Sequence, residues 1–484
     1  MSSPAVAESG PSPTRRALAK TDVRRLQWLA LTALALCVVN ITVFYPGTWN
    51  NDSVSQYAEA QSGRYTDWHP PIMAYVWSLL LPMIDGTGGM LLLQLVLHWL
   101  GFWAVSDALA RQGRSRAAWW MLFAGAFPLF IIFNGDTWKD VQMASAWISA
   151  FGLTYRERTI RNASRYRVAL LVGLLAIYGV LLRTNAVFAF GPLLLYLTLG
   201  AKRPRAAPLL AAVLGITLAA IPLSAIVNRG ILSATDSGSI RSLQLFDLAG
   251  IAYRSGDIST FFAVTGLGNQ TLERCYTSYW WDGFSQWGTC REAWQGLDQH
   301  SNRSLTRLWL ESILEHPGAY LNHRLRHLNS SLLFLVPAKH YRYAEPKTAS
   351  EYAESERTTL RLIIGDVITK NFLLWPVVWL IAGIAALGLL VGADGRSDSV
   401  WGARLLLLSA ILYSMGYGVV GVATGLRYHY WSVMACLTAL IISAPLLLQR
   451  LQQRDAIVVS GVCALGITVA AGHMFRIADL QSLL

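Results

Sequence analysis

The fold is decided by an apolar run and the polar loop after it: LQWLALTALALCVVNITVF at residues 26–44, then YPGTWNNDSVSQYAEAQSGRYTDWHPP at residues 45–71. The apolar run is about as long as a helix must be to cross the hydrocarbon core of a membrane, about 20 residues. Asn40 and the bulky residues near its end make a poor cleavage site, so we predict a first transmembrane helix and not a removed signal peptide. Basic residues between positions 15 and 25 place its N-terminal end in the cytoplasm.

The composition of the whole chain is typical of a protein that crosses a membrane many times. The 484 residues are 54% hydrophobic and only 14% charged, whereas soluble proteins carry about 25% charged residues. The net charge is +12, but the basic residues lie in short clusters between apolar runs. That is the pattern of cytoplasmic loops, so we expect the lipid bilayer as a partner and no nucleic acid.

The alternation of apolar runs and basic loops predicts an all-α polytopic membrane protein with about 11 transmembrane helices. The runs 141–155 and 186–199 are short for a full crossing, so the count is open by one or two. We expect a multi-pass plasma (inner) membrane protein with a cytoplasmic N-terminus. The predicted parts are a disordered N-terminus at 1–25, a transmembrane module at 26–227 with outer loops at 45–87 and 134–140, a small, mainly helical extracytoplasmic domain at 228–370, and C-terminal transmembrane helices at 371–484.

The outer loops concentrate charged side chains. In the first loop Asp52 precedes Asp67 and His69, and the second outer turn, NGDTWKD, adds Asp136 and Lys139. Charges at the edge of an apolar region are costly, so their density points to a use. The alternative is a set of solvated acids beside an aromatic belt at the lipid boundary, where tryptophan and tyrosine are enriched.

Two arginines lie at the outer ends of predicted spans, where positive charge is disfavoured. Arg183 and Arg427 therefore each need a partner. Together with Lys139 they could hold a phosphate group, while a nearby carboxylate removes a proton from an acceptor hydroxyl. This combination of acids and cations favours group transfer from a phosphate-linked donor.

The order of these motifs resembles that of the C-type (GT-C) integral-membrane glycosyltransferases, which use polyprenyl-phosphate sugars. Asp52 matches the family's first-loop acid, His69-Pro70-Pro71 matches the H-P-P that opens a juxtamembrane helix, and Asp136 matches the second-loop acid. Two later motifs are also similar to family segments: His316-Pro317-Gly318-Ala319-Tyr320 and Arg427-Tyr428.

The resemblance implies a GT-C-like fold and transfer of a hexosyl or pentosyl group to an extracytoplasmic glycan, lipid or protein acceptor. Asp52 would be the general base, assisted by Asp136. The D-x-x-K-D spacing differs from the family's tight acidic pair, so a divalent metal, Mg²⁺ or Mn²⁺ on Asp52 and Asp136, is one alternative and a metal-free site is the other. The substrate-binding residues are expected to be Lys139, Arg183 and Arg427 at the donor phosphate, with Asp67, His69, Tyr65 and Trp68 at the cavity rim.

Two other classes of protein remain open. A transporter or flippase of lipid-linked saccharides would show internal repeats with broken helices and charges near mid-membrane, and the charges here gather at the outer edge. A polysaccharide polymerase or ligase with outer-loop arginines is the other alternative, and the first-loop aspartate disfavours it.

The predicted outer domain contains Cys275 and Cys290, which we expect to form a disulfide because disulfides persist in that compartment. The tryptophans and tyrosines between positions 276 and 294 either form the domain core or stack on a saccharide, and the core is favoured. The region 305–335 contains five basic side chains that either bind phosphate or acceptor or form a solvated face, and the solvated face is favoured: Arg307, His323, Arg324, Arg326 and His327.

Overall fold

The computed structural model describes residues 13–160, 165–200, 204–337, 371–393, 397–453 and 456–478, with side chains from residue 23 onward. In these ranges the secondary structure is helical, apart from two isolated backbone bridges. The first ten helices are α1 (Pro13–Phe44), α2 (Asn51–Ser62), α3 (Ile72–Leu80), α4 (Gly88–Arg111), α5 (Ser115–Ala124), α6 (Pro128–Asn134), α7 (Lys139–Ile160), α8 (Arg165–Leu182), α9 (Val187–Thr198) and α10 (Ala206–Ala225).

The second half of the chain continues with helices of two kinds. Short helices form the outer domain, and long apolar helices follow it. They are α11 (Ile240–Ser255), α12 (Ser259–Thr265), α13 (Asn269–Cys275), α14 (Glu292–Gly296), α15 (Asn302–Glu315), α16 (Pro317–Ser331), α17 (Pro376–Val391), α18 (Asp398–Val420), α19 (Tyr430–Gln452) and α20 (Ala456–Ile477).

Within the described ranges, six helices are long and apolar enough to cross a membrane, or seven if the bent pair α5–α6 is one span. The architecture is that of a polytopic membrane protein, but the predicted count of 11 spans is not confirmed. Three apolar helices, α8, α9 and α17, are shorter than the six. Helices α5 and α6 meet at a 41° bend.

Helix α7 accounts for part of the difference in span count. Its residues from Lys139 to Tyr155 are buried by other parts of the protein, so it does not need the uniformly apolar surface of a lipid-facing helix. It packs closely against α4, because a side chain on Gly152 would come within 2.5 Å of the Gly101 carbonyl oxygen. Small residues allow such close helix packing in membranes, so the two glycines let α7 and α4 approach each other closely.

The N-terminal region differs from its prediction. Helix α1 begins at Pro13, so residues 13–25, predicted to be disordered, are helical, while residues 1–12 lie outside the described ranges. The predicted juxtamembrane helix after Pro71 is present as α3, which ends at Leu80.

The outer domain has a hydrophobic core of its own. Leu245, Phe246, Phe284 and Leu305 are fully buried in it. The Cys275–Cys290 disulfide, which joins Cα atoms 6.3 Å apart, is confirmed. Helix α10 continues as a helical turn through Ile231, so the chain is still helical at the predicted start of the domain, and residues 338–370 of that domain lie outside the described part of the chain.

Candidate active site

The candidate site lies where the first turns of α2 and α7 meet the turn Leu426–His429 before α19. One oxygen of Asp52, Oδ2, lies 3.3 Å from Lys139 Nζ and 3.3 Å from Arg427 Nη1. Two cations from distant parts of the chain therefore share one carboxylate oxygen.

The start of α2 presents Asp52 toward these cations. Asn50 caps the helix: its side chain accepts from the Ser53 N–H, and the Ser53 hydroxyl oxygen accepts from the Asn50 N–H. This capping box fixes the first turn of the helix, and a carboxylate there is favoured by the positive end of the helix dipole. The Asp52 side chain is 21% exposed, so a substrate could reach it.

His69 completes the cluster from the end of the first loop. The Lys139 ammonium contacts its Nδ1, and an ammonium can only donate, so Nδ1 accepts and the ring proton lies on Nε2. His69 Nε2 is 3.9 Å from Asp52 Oδ1. Burial of the ring and the charge of Lys139 lower the pKa of His69 to about 3, so the imidazole is neutral at pH 7.

Opposing effects set the pKa of the Asp52 carboxyl. Burial acts to raise it, but the charges of Lys139 and Arg427 outweigh burial and hold the pKa well below its ordinary range. Asp52 is therefore ionised at neutral pH and a weak proton acceptor as long as both cations remain on it.

Arg427 is held by aromatic side chains as well as by Asp52. Its guanidinium carbon lies 3.4 Å from the centroid of the Trp138 ring, within the range of a cation–π contact. Its Nη2 donates to the Tyr428 hydroxyl at 3.2 Å. These contacts fix the plane of the guanidinium, so its free N–H groups point in set directions.

Arg183, an arginine at the outer end of a predicted span, has an acidic partner as expected. Its Nε lies 3.2 Å from Asp140 Oδ1, a side chain that is 1% exposed. Its Nη2 donates to the Tyr417 hydroxyl at 3.1 Å, and its guanidinium carbon lies 5.2 Å from the Tyr428 ring. Because Tyr428 also contacts Arg427, Arg183 supports the site through Tyr428.

Asp136 is fully buried in the turn between α6 and α7. Its backbone bridges to Thr48, and its carbonyl accepts from the Gln94 side chain at 3.1 Å. The turn is thus tied to the segment that leads into α2. Asp136 precedes Lys139 by three residues, and the cations within 4 Å of Asp52 are Lys139 and Arg427, so an assisting role for Asp136 stays a prediction.

The remaining predicted rim residues join the first loop to the outer domain. Asp67 accepts from Arg229 at 2.9 Å and from the Ser237 N–H at 2.7 Å. Burial acts to raise the pKa of Asp67, but these hydrogen bonds outweigh it and lower the pKa. The carbonyl of Tyr65 accepts from the Thr235 N–H at 3.0 Å, so Tyr65 and Asp67 hold the loop in place.

Trp68 belongs to an aromatic cluster with the outer domain. Its ring lies 5.9 to 6.0 Å from the rings of Trp281, Trp287 and Trp294. Trp281 and Trp294 are buried in the domain core, as favoured from the sequence, while Trp287 is 63% exposed.

The basic residues of region 305–335 form a solvated face only in part: Arg307 on α15 is exposed, but three on α16 are not. Arg324, His323 and His327 are buried. Arg324 pairs with the buried Asp247, and His323 Nε2 lies 3.4 Å from the same carboxylate. A charged group is buried only when it is paired, and Asp247, far away in sequence, supplies the pair.

A divalent metal does not fit at Asp52. Two positive groups already lie 3.3 Å from its Oδ2, and they would repel a divalent cation at that oxygen. In the part of the chain that the structure describes, no group of three or more His, Cys, Asp or Glu side chains could hold a metal ion. We therefore derive no step through a metal.

Several residues of the site were missed from the sequence. Trp138 lies in the NGDTWKD turn, and Tyr428 follows Arg427 directly. No sequence pattern indicates that both side chains contact the Arg427 guanidinium. Asp140 is visible in the same turn, but its pairing with Arg183 is not, and Tyr417 gives no signal because it lies within an apolar run.

No protein-family model and no curated protein matches the chain. Among solved structures, it is similar to the archaeal oligosaccharyltransferase AglB from Archaeoglobus fulgidus, solved in complex with an inhibitory peptide and a dolichol-phosphate. The TM-score is 0.36 at 12% identity, and the likeness covers 93% of this chain and 56% of that one. The chain thus spans little more than half the length of that protein. A likeness at this level does not define an activity.

Proposed function

We propose that this protein is a GT-C-type membrane glycosyltransferase that moves a sugar from a polyprenyl-phosphate donor to an extracytoplasmic acceptor. The observation that carries the proposal is the shared contact of Lys139 and Arg427 with Asp52, a partly accessible carboxylate at the end of a helical membrane module. A base beside two phosphate-binding cations is what transfer from a phosphate-linked donor requires.

In the proposed reaction, the acceptor hydroxyl oxygen forms a bond with the anomeric carbon, and the bond from that carbon to the phosphate oxygen breaks. The bonding electrons leave with the polyprenyl phosphate, whose negative charge Lys139 and Arg427 stabilise. The hydroxyl proton goes to Asp52. One direct displacement of this kind inverts the configuration at the anomeric carbon.

The donor phosphate would also make Asp52 a better base. Lys139 and Arg427 now lower the pKa of Asp52. A phosphate that draws their hydrogen bonds away weakens this effect, and burial then raises the pKa. Asp52 would thus gain basicity only when the donor is bound, which ties proton removal to the presence of the sugar.

The other predicted residues take supporting roles in this proposal. Arg183 would hold Tyr428, and through it Arg427. His69, neutral and bonded to Lys139, would orient the ammonium toward the phosphate. The site faces outward in the plasma membrane, and the lipid tail of the donor lies between the spans.

The proposal is tested by Asp52→Asn, which keeps the size of the side chain but removes its basicity. Sugar transfer should fall by about 10² to 10⁴-fold, the usual contribution of a positioned base. The assay uses a radiolabelled polyprenyl-phosphate sugar, with a membrane extract as the acceptor source. Asp85→Asn is the matched control, because Asp85 accepts from Tyr57 at an exposed position and should leave the rate unchanged.

Wild-type rates in Asp52→Asn would remove this residue as the base. Movement of lipid-linked saccharide across the membrane that depends on the protein, without any sugar transferred, would instead establish the transporter alternative.

A further inference from the structure

The segment 421–425, between α18 and the Arg427 turn, is hydrogen-bonded to the outer domain through two of its backbone carbonyls. The Gly421 carbonyl accepts from Arg324 Nη1 at 2.6 Å, and the Val422 carbonyl accepts from the Trp281 N–H at 2.9 Å. The connection between α18 and α19 thus accepts hydrogen bonds from side-chain and backbone groups of the outer domain.

Thr424 makes the last of these attachments, three positions before Arg427. Its hydroxyl donates to the Tyr279 carbonyl at 2.9 Å and lies 2.8 Å from the Ser330 hydroxyl. One side chain therefore joins the Tyr279 loop and α16 to the segment that leads into the cation site.

The outer-domain end of this attachment is rigid. Arg324 pairs with Asp247, and both side chains are buried. Trp309 Nε1 donates to the other Asp247 oxygen at 2.9 Å, and the Ser278 carbonyl accepts from His327 at 2.9 Å. To shift this end, a buried ion pair would have to separate, which is strongly unfavourable.

We propose that the outer domain sets the position of Arg427 through the segment 421–425, with Thr424 as a positioning residue. The chain from Thr424 to Arg427 is short, so a shift at Thr424 is passed on to the guanidinium beside Asp52. The expected effect on phosphate binding rests on the proposed function. The attachment of the segment 421–425 to the outer domain does not depend on it.

The test uses Thr424→Val in the full-length protein in detergent. This change removes the hydroxyl and keeps the branched shape. Amide hydrogen exchange over residues 421–430 should become faster. Binding of farnesyl phosphate, followed by tryptophan fluorescence, should weaken by about threefold to tenfold, as expected for loss of a neutral hydrogen bond. Thr424→Ser restores the hydroxyl and should return both quantities to wild-type values.

Thr468→Val is the matched control, because in the described part of the chain the buried Thr468 hydroxyl donates within its own helix, to the Ala464 carbonyl at 2.7 Å. It should change neither quantity. Unchanged exchange in Thr424→Val overturns the attachment, and faster exchange with wild-type affinity overturns the effect on Arg427. If the wild-type protein binds no farnesyl phosphate, the proposed function and the phosphate part fail together, and exchange still decides whether the attachment exists.

Discussion

At the scale of single residues, the geometry of Arg427 depends on the flat shape of its side chain. The guanidinium lies on Trp138 and at the same time directs one nitrogen to Asp52 and another to Tyr428. A lysine ammonium carries the same charge but has neither the flat face nor the forked donors. Charge and shape can therefore be separated by experiment.

We predict that Arg427→Lys raises the KM for the donor by about tenfold, because it loses the stacking on Trp138 and the second N–H donor. Steady-state transfer kinetics with varied donor measure this. Arg307→Lys is the control, since Arg307 pairs with Glu311 on the exposed face of α15. An unchanged donor KM in Arg427→Lys would show that charge alone suffices.

At the scale of helices, the contact between Asp140 and Arg183 joins the start of α7 to the turn that precedes α9. The Asp140 side chain is 1% exposed, so removing it leaves a buried arginine without its counter-charge. Loss of one partner of a buried pair typically costs about 3 to 5 kcal/mol.

We predict that Asp140→Ala lowers the free energy of unfolding by about that amount, measured by denaturant titration in detergent. The double variant Asp140→Ala/Arg183→Met should recover part of the loss, because no unpaired charge remains. Equal stability of wild type and Asp140→Ala would contradict the pairing.

A second prediction at this scale concerns α16 and pH. Burial of the ring and the charge of Arg324 lower the pKa of His327 to about 3, whereas an unfolded histidine titrates near pH 6.5. Between these values the unfolded chain binds the proton and the folded chain does not. The stabilisation from neutral His327 is therefore present above about pH 6.5 and is lost as the pH falls toward 3.

We predict that wild-type stability falls more steeply than that of His327→Asn between pH 6.5 and 4.5. The difference in slope should be on the order of 1.4 kcal/mol per pH unit. Asn keeps a donor for the Ser278 carbonyl, which His327 now bonds at 2.9 Å, and it does not titrate. Parallel stability curves for the two proteins would rule out this role of the histidine.

At the scale of the whole molecule, the outer domain is expected on the extracytoplasmic side. Gly318 suits a labelling test, because a side chain added there meets no atom within 4 Å. We predict that Gly318→Cys reacts with a membrane-impermeant thiol reagent in intact cells. The wild-type protein, whose Cys37 and Cys436 are buried and Cys463 exposed, gives the background. Reaction only after permeabilisation would reverse the topology and the side of the site.

The features that could be predicted from the sequence are local ones. The apolar run of α1, the helix after Pro71 and the Cys275–Cys290 pair each depend on nearby residues or on simple spacing. The sequence also indicates the acids and cations at the outer edge of the membrane, because charged residues are costly beside apolar spans. The count of 11 spans is not confirmed for a tertiary reason: helix α7 is buried by other parts of the protein, so its composition is not that of a lipid-facing helix.

The details that escaped prediction depend on pairs that are distant in sequence. Arg324 looked solvated because its partner, Asp247, lies on another helix. The Trp138 ring beneath Arg427 is likewise supplied by a different part of the chain. A sequence pattern describes one helix or loop at a time. It therefore identifies the charged residues but does not show which of them pair.

The separation of Asp52, Lys139 and Arg427 along the chain has a consequence for biosynthesis. Domains made first on the ribosome can begin to fold first. A nascent chain that has emerged through α17 already holds Asp52 and Lys139, whose charges neutralise each other. Arg427 is added only when the last helices follow. A prematurely terminated chain would thus carry a balanced ion pair, and the second cation beside Asp52 would be added only near the end of translation.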